Sequence, residues 1–337
     1  MKAVAYETPG EIQRADSLVD IEREMPAPQG RDLLVEIKAI SVNPVDTKIR
    51  ARASPEPGDW KVLGWDAAGI VKAVGDDVDG FEPGDEVWYA GELTRPGTNS
   101  EYHLVDERLV GHKPKTLGFA EAAALPLTTI TAWEMLFDRL EVNRPVVGAA
   151  NAILIIGGAG GVGSIAIQLL RALTDMTVIA TASRPETRAW VESLGAHAVI
   201  DHSQPLAAQI EQLDLGAPGF VFSTTQSQRH QDEVVELMAP QGRYGLIDDP
   251  ENFVINDFKR KCLSVHWELM YTRSLFQTPD MDEQGALLNR VAGLIDDGRI
   301  RTTLTETMGP INAANLKKAH TLIESGRARG KVVLEGF

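Results

Sequence analysis

Residues 152–173, AILIIGGAGGVGSIAIQLLRAL, constrain the fold more than any other stretch of this chain. The apolar run Ala152 to Ile156 has the length and continuity of a parallel strand buried on both faces, and Gly157 to Gly163 then interrupt it. From Val162 the apolar positions Val162, Ile165, Ala166, Leu169 and Leu173 recur three or four residues apart, which is one face of an amphipathic helix. Inside the loop, Gly158, Gly160 and Gly163 satisfy G-x-G-x-x-G. Such glycines permit a tight turn, a close approach of backbone to a pyrophosphate, and close helix-strand contact. The helix N-terminus, about Gly161, Val162 and Gly163, then presents unpaired N–H groups and the positive end of the helix dipole to a diphosphate, so no basic side chain is needed there. A glycine-rich connection without a ligand is the alternative. Strand and helix in register favour a dinucleotide site.

The next strand, Thr177 to Ala182, leads to the place where an adenosine ribose belongs. An NAD site usually has an Asp or Glu there, about 20 residues beyond the glycines, to bind the ribose 2′-hydroxyl. Here the chain reads Ala182-Ser183-Arg184-Pro185, with no carboxylate. A hydroxyl at Ser183 and a planar cation at Arg184 suit a 2′-phosphate, which an acid would repel, and Arg188 adds a second charge one helical turn on. NADPH is therefore expected over NADH. The competing view makes Ser183 a helix cap, Pro185 a first-turn proline and Arg184 a solvated side chain.

A chain of 337 residues is long for one domain, so two are expected. Short strand-like segments fill the first 125 residues (LLVEIKAISV, GIVKAVG, DEVWYAG, SEYHLV) and suggest a compact barrel, with no helix before Phe119. Helices are expected over Phe119 to Leu125 and Thr129 to Leu140. Apolar strands Ala198 to Asp201, Phe220 to Ser223, Gly242 to Ile247 and Leu263 to His266 then alternate with helical stretches, the rhythm of a doubly wound parallel α/β sheet. Helices at Glu283 to Asp297 and Asn312 to Ser325 and a strand at Lys331 to Leu334 are too little for a third domain. They are expected to return to the first, leaving the nicotinamide end of the cofactor in a cleft bordered by Thr225 and Trp267. For Trp267, core packing is an equal alternative.

The net charge of −15 argues against a nucleic-acid surface or anionic lipid as partner, and no run is long enough to span a bilayer. The start, MKAVAYETPGE, lacks a signal-peptide core, which makes the cytoplasm the expected compartment. Cys262 is the single cysteine, which removes disulfides and multi-cysteine zinc sites; beside Leu263 and Val265 it reads as a small buried side chain. None of the seven histidines falls in a recognisable ligand spacing, so no metal site is expected.

The runs Val71 to Val87 (VKAVGDDVDGFEPGDEV), Ala124 to Trp133 (ALPLTTITAW), Gly157 to Gly163 (GGAGGVG) and Gly330 to Leu334 (GKVVL) resemble the medium-chain dehydrogenase/reductase superfamily. Asn43-Pro44-Val45-Asp46 resembles its zinc-independent quinone oxidoreductase branch. The resemblance implies a GroES-like barrel over 1–125 completed by 268–337, a Rossmann domain over 126–267, and a homodimer. It implies hydride transfer from NADPH to a small-molecule quinone or α,β-unsaturated carbonyl. Asn43 and Thr131 would lie against the nicotinamide, and Lys331, in the closing motif, near the cofactor. Zinc-type relatives carry a cysteine near Asn43 and a His-Glu pair where this chain has Trp65-Asp66. Lys48 stands where such enzymes often have a tyrosine; it is a proton-donor candidate if desolvated, and a solvated lysine otherwise. A zinc-type alcohol dehydrogenase and a non-catalytic NADPH-binding sensor are the alternative functions.

Overall fold

The computed structural model describes all residues, Met1 to Phe337, and divides into two compact units. The first joins Met1–Ile130 to Tyr271–Phe337, and the second is Thr131–Met270. The seams thus fall at Ile130 and Tyr271, a few residues beyond the 125 and 268 expected from sequence.

The first unit begins with strands β1 (Lys2–Tyr6), β2 (Val19–Glu22) and β3 (Asp32–Val42), helix α1 (Pro44–Arg52), and strands β4 (Lys61–Val62), β5 (Asp66–Val74), β6 (Glu86–Ala90), β7 (Tyr102–Asp106) and β8 (Val110–His112). Helices α2 (Phe119–Ala123) and α3 (Pro126–Trp133) follow. Helix α1 corrects the expectation of no helix before Phe119. Its buried residues are Asp46, Thr47 and Arg50, so it lacks the apolar stripe by which a helix is read from sequence. The expected helix Thr129 to Leu140 is also broken: α3 stops at Trp133, and Glu134–Arg139 forms a π turn in which Leu140 N–H donates to Met135 O at 2.8 Å.

The second unit contains β9 (Ala150–Ile156), α4 (Gly161–Leu173), β10 (Thr177–Thr181), α5 (Pro185–Ser193), β11 (Ala198–Ile200), α6 (Leu206–Gln212), β12 (Pro218–Ser223), α7 (Ser227–Leu237), β13 (Arg243–Leu246) and β14 (Ser264–Trp267). All its strand pairs are parallel, in the order β11-β10-β9-β12-β13-β14. Burial on both faces explains why β9 is apolar throughout Ala152–Ile156. Leu154, Ile179, Val221 and Leu246 pack with Tyr244 and Phe258 into one core on this sheet. The order reverses between β9 and β12, and in such sheets the crevice beyond the strand C-termini at the reversal receives ligands. Cys262 is exposed, in the left-handed conformation that ends the short turn Ile255–Lys261, so the expectation of a buried thiol does not hold.

The chain then returns to the first unit through α8 (Thr272–Phe276), α9 (Glu283–Asp296), β15 (Leu304–Thr307), α10 (Ala313–Glu324) and β16 (Lys331–Glu335). Strand β16 pairs antiparallel with β3, and β3 with β5 and β7, giving a seven-stranded sheet; β2-β1-β4 is a smaller one. The closing segment therefore completes the N-terminal unit.

Candidate functional site

The glycine loop joins β9 to α4, and its glycines answer to different neighbours. A Cβ on Gly163 would lie 2.4 Å from Gly157 O, and one on Gly158 would lie 2.8 Å from Ala180 Cβ, so both are required by packing. Gly157 has φ +82°, and Thr224 Oγ1 closes on the space beside it. Gly160 differs. Its backbone is extended (φ −73°, ψ 175°), and the nearest atom to an added Cβ would be Gly157 O at an ordinary 3.5 Å. The fold leaves open the space in front of Gly160. It is also the residue that begins α4, and with no side chain it cannot cap the helix's first N–H groups. These residues fit a diphosphate.

At the end of β10 the helix-start reading is resolved in favour of another residue. Arg184, not Ser183, precedes the first turn of α5, and Thr187 does the capping: its Oγ1 accepts from Arg184 N–H at 3.2 Å and donates to Arg184 O at 2.9 Å. The Ser183 hydroxyl is left available. Arg184 makes a weak surface pair with Glu186 at 3.3 Å. Arg188 donates to Ala182 O at 3.3 Å and Val199 O at 3.0 Å, lacing the ends of β10 and β11 together. Thr225 is exposed just past β12, and Trp267 is 52% exposed at the end of β14, edge-on to Phe253, which is not a core position.

In the first unit a buried polar cluster surrounds the turn from β3 into α1. Asp66 is fully buried. Its Oδ2 accepts from Ser41 Oγ at 2.8 Å and Asn43 Nδ2 at 2.7 Å, and its Oδ1 from Leu127 N–H at 2.7 Å. Lys331 Nζ lies 3.1 Å from Asp66 Oδ2 and donates to Asn43 Oδ1 at 2.5 Å and Val42 O at 3.0 Å. The Asn43 amide is thus engaged at both ends, and the ammonium of Lys331 is surrounded by acceptors. Asn43 N–H donates to Asp46 Oδ2 at 2.7 Å, which starts α1 as a capping box. Burial pushes the Asp46 carboxyl up to about 7, against the hydrogen bond from Asn43 N–H and the charge of Lys331. Burial likewise holds Lys331 below its usual range, with Asp66 opposing. Lys48 lies on the exposed face of α1, whereas Thr131 is buried on α3 at the start of the second unit. Of the sequence candidates, Asn43 and Lys331 are brought together. Their common partner Asp66 went unrecognised because the pairing joins residues far apart in the chain.

A second buried cluster had no sequence signal. Glu268, directly after β14, and Glu134, in the π turn, are both buried, and Arg139 Nε lies 2.8 Å from Glu268 Oε2. Burial first, and then the charge of Glu134, push the Glu268 carboxyl up to about 9. Two buried carboxyl groups thus face one guanidinium, and it is Glu268 whose protonated form burial favours.

Residues 29–133 match the alcohol dehydrogenase GroES-like domain family, and residues 194–334 the zinc-binding dehydrogenase family. A zinc-type alcohol dehydrogenase-like protein of Staphylococcus aureus is 37% identical over 99% of both chains. The 2-methylene-furan-3-one reductase of Solanum lycopersicum is 30% identical over 99% of this chain and 79% of its own. Among solved structures, one described as a zinc-dependent alcohol dehydrogenase protein, from Rhizobium etli, is 67% identical with a TM-score of 0.99, covering 100% of this chain and 98% of that one. A quinone oxidoreductase of Pseudomonas syringae is 26% identical with a TM-score of 0.83, over 99% of both.

The residues do not fit the zinc in some of these descriptions. No three His, Cys, Asp or Glu side chains converge as a ligand set, and Asp66 has both oxygens engaged beside the Lys331 cation. A GroES-like unit, a parallel sheet with its glycine loop, and relatives of this similarity lead to one conclusion: the chain belongs to the medium-chain dehydrogenase/reductase superfamily, in its quinone oxidoreductase-like branch, and is an oxidoreductase of that family.

Proposed function

We propose that this protein is an NADPH-dependent reductase that passes hydride to a quinone or an α,β-unsaturated carbonyl without a metal ion. The observation that carries the reading is the open space before Gly160, combined with a β10 terminus that offers a hydroxyl and a guanidinium and no carboxylate over 182–185. When bound, the dinucleotide supplies the hydride. The loop Gly158–Gly163 seats the diphosphate on backbone N–H groups. Ser183 and Arg184 receive the 2′-phosphate, while Arg188 fixes the strand ends beneath them. Thr225 and Trp267, beyond the C-termini of β12 and β14, border the nicotinamide half, with Thr131 as the polar group on the carbonyl side. Asn43 acts through the turn it fixes with Lys331 and Asp66, because its amide is already engaged. A quinone takes its proton from water, so a dedicated donor is not required of Lys48. The names of the tomato reductase and the Pseudomonas quinone oxidoreductase favour this substrate class.

β14 is an edge strand with Trp267, Leu269, Val254 and Ile255 exposed about it, which supports a homodimer formed along that edge.

The test mixes the protein with NADPH or NADH and a panel of quinones and enones, and follows the reduced nicotinamide absorbance with and without a chelator. Chelator-insensitive oxidation of NADPH supports the proposal. Binding without turnover makes the protein a nucleotide binder, and loss of activity on chelation refutes the metal-free reaction.

A further inference from the structure

Just past β11, the turn Asp201-His202 approaches the end of β10, and there the second unit gathers cations in an otherwise acidic chain. His202 Nδ1 is buried and has no hydrogen-bond partner. We infer that His202 completes the phosphate seat and takes up a proton when a phosphorylated dinucleotide binds, so that discrimination between NADPH and NADH strengthens as pH falls. The inference rests on the proposed NADPH dependence and adds to it a specificity-determining residue.

Each element around the imidazole contributes to its field. Arg184, from the β10–α5 turn, and Arg229, on α7, both oppose its protonation; Asp201 favours it. Burial acts in the same direction as the arginines and is the largest cause of a pKa below the ordinary imidazole value. A second imidazole, His230 on α7, is held down by burial, by Arg229 and by His202 itself, with Glu233 opposing. Arg188 also faces Asp201. From α6 comes the uncharged Gln209, bonded to the backbone of Asp201.

The nearby carboxylates already have partners. Asp201 Oδ1 accepts from Ser203 N–H at 2.8 Å, Glu186 pairs with Arg184, and Glu233 Oε2 accepts from Ala207 N–H at 2.8 Å. With no anion present, burial first and then the guanidiniums disfavour the charged form of His202, and its buried Nδ1 has no partner. A phosphate monoester of charge about −1.5 to −2, placed between Ser183, Arg184 and His202, reverses that field and offers an acceptor oxygen. The proton comes from solvent and resides on the imidazole, and no bond to phosphorus is made or broken.

The sign follows from linkage. His202 has a lower pKa in the free protein than in the complex, so binding takes up a proton between the two values, and affinity rises as pH falls through that window. The limit is about tenfold per pH unit for one coupled proton. Below about pH 6 protonation of the phosphate itself works against the effect. NADH, lacking the phosphate, has no such dependence at this position.

The experiment is calorimetric titration of the full-length protein with NADPH and with NADH, in two buffers of different ionisation enthalpy, between about pH 6 and 8 where an imidazole titrates. The dependence of heat on buffer counts protons taken up. The expected result is uptake approaching one proton with NADPH and none with NADH. In His202→Asn the uptake disappears while NADPH remains the tighter ligand through Arg184; His202→Gln replaces that variant if it folds poorly. No uptake in the unmodified protein, or uptake persisting in the variant, overturns the role of His202 and leaves the NADPH reading intact. NADPH binding no tighter than NADH at every pH overturns both.

Discussion

Replacing Gly160 and Gly163 separately by alanine distinguishes a glycine kept for a ligand from one kept for packing. At Gly163 the new methyl would stand 2.4 Å from Gly157 O and 2.7 Å from Gly158 Cα, and backbone atoms yield little. Overpacking of that kind costs about 1–3 kcal/mol, so Gly163→Ala lowers the unfolding free energy by that amount. At Gly160 the new methyl has only an ordinary contact at 3.5 Å, and the backbone already lies where alanine is relaxed. Gly160→Ala is therefore neutral, or stabilising by about 0.4–1 kcal/mol through the unfolded chain. Its methyl nonetheless projects into the space proposed for the diphosphate. Loss of one charge-assisted hydrogen bond from backbone N–H to phosphate, about 1.5–3 kcal/mol, weakens NADPH and NADH alike by roughly ten- to hundredfold. Urea unfolding and fluorescence titration with each dinucleotide measure the two quantities. A Gly160→Ala protein that binds dinucleotide as tightly as the unmodified one, or loses as much stability as Gly163→Ala, refutes the assignment of the loop.

The remaining predictions concern charge. Arg184→Ala weakens NADPH by roughly ten- to hundredfold, the loss of a contact of about 1.5–3 kcal/mol, and leaves NADH unchanged; equal loss for both contradicts the phosphate contact. Lys331→Met leaves the Asp66 carboxylate buried without its cation and lowers stability by about 3–5 kcal/mol, and adding Asp66→Asn recovers part of that; a loss below about 1 kcal/mol shows the cluster to be dispensable. Because the Glu268 carboxyl lies at about 9, above its unfolded value, the folded protein binds the extra proton. Its contribution therefore declines as pH rises from about 4.3 toward 9. Glu268→Gln flattens that decline, seen as melting temperatures that converge between acidic and alkaline buffer, and an unaltered slope excludes a protonated Glu268 in the folded protein.

The parts of the fold legible in the sequence are those whose burial leaves a periodic trace. Strand β9, the glycine loop and α4 are the clearest case, because apolar continuity, the break and the helical spacing are all local. Helix α1 left no such trace, since its inward face is Asp46, Thr47 and Arg50. Lys331 and Asn43 each lie in a recognisable motif, but their geometry depends on a partner, Asp66, that only the sheet brings to them. Ser183 looked like a cap because serine before proline commonly is one; the choice fell to Arg184 and Thr187 through the position at which β10 ends. Glu134 and Glu268 lie on segments remote in sequence, and nothing local announces that two carboxyl groups will meet.

The bond from Lys331 Nζ to Val42 O joins residues 289 positions apart. During synthesis the N-terminal unit emerges long before β16, the strand that lies between β3 and β15 in its principal sheet and delivers its buried cation. Until β16 leaves the ribosome, Asp46 and Asp66 lack the ammonium of Lys331 and β3 has a vacant neighbour. A chain stopped short of Lys331 is expected to remain a substrate for chaperones, and the arrival of β16 becomes the step that commits this unit to its native state.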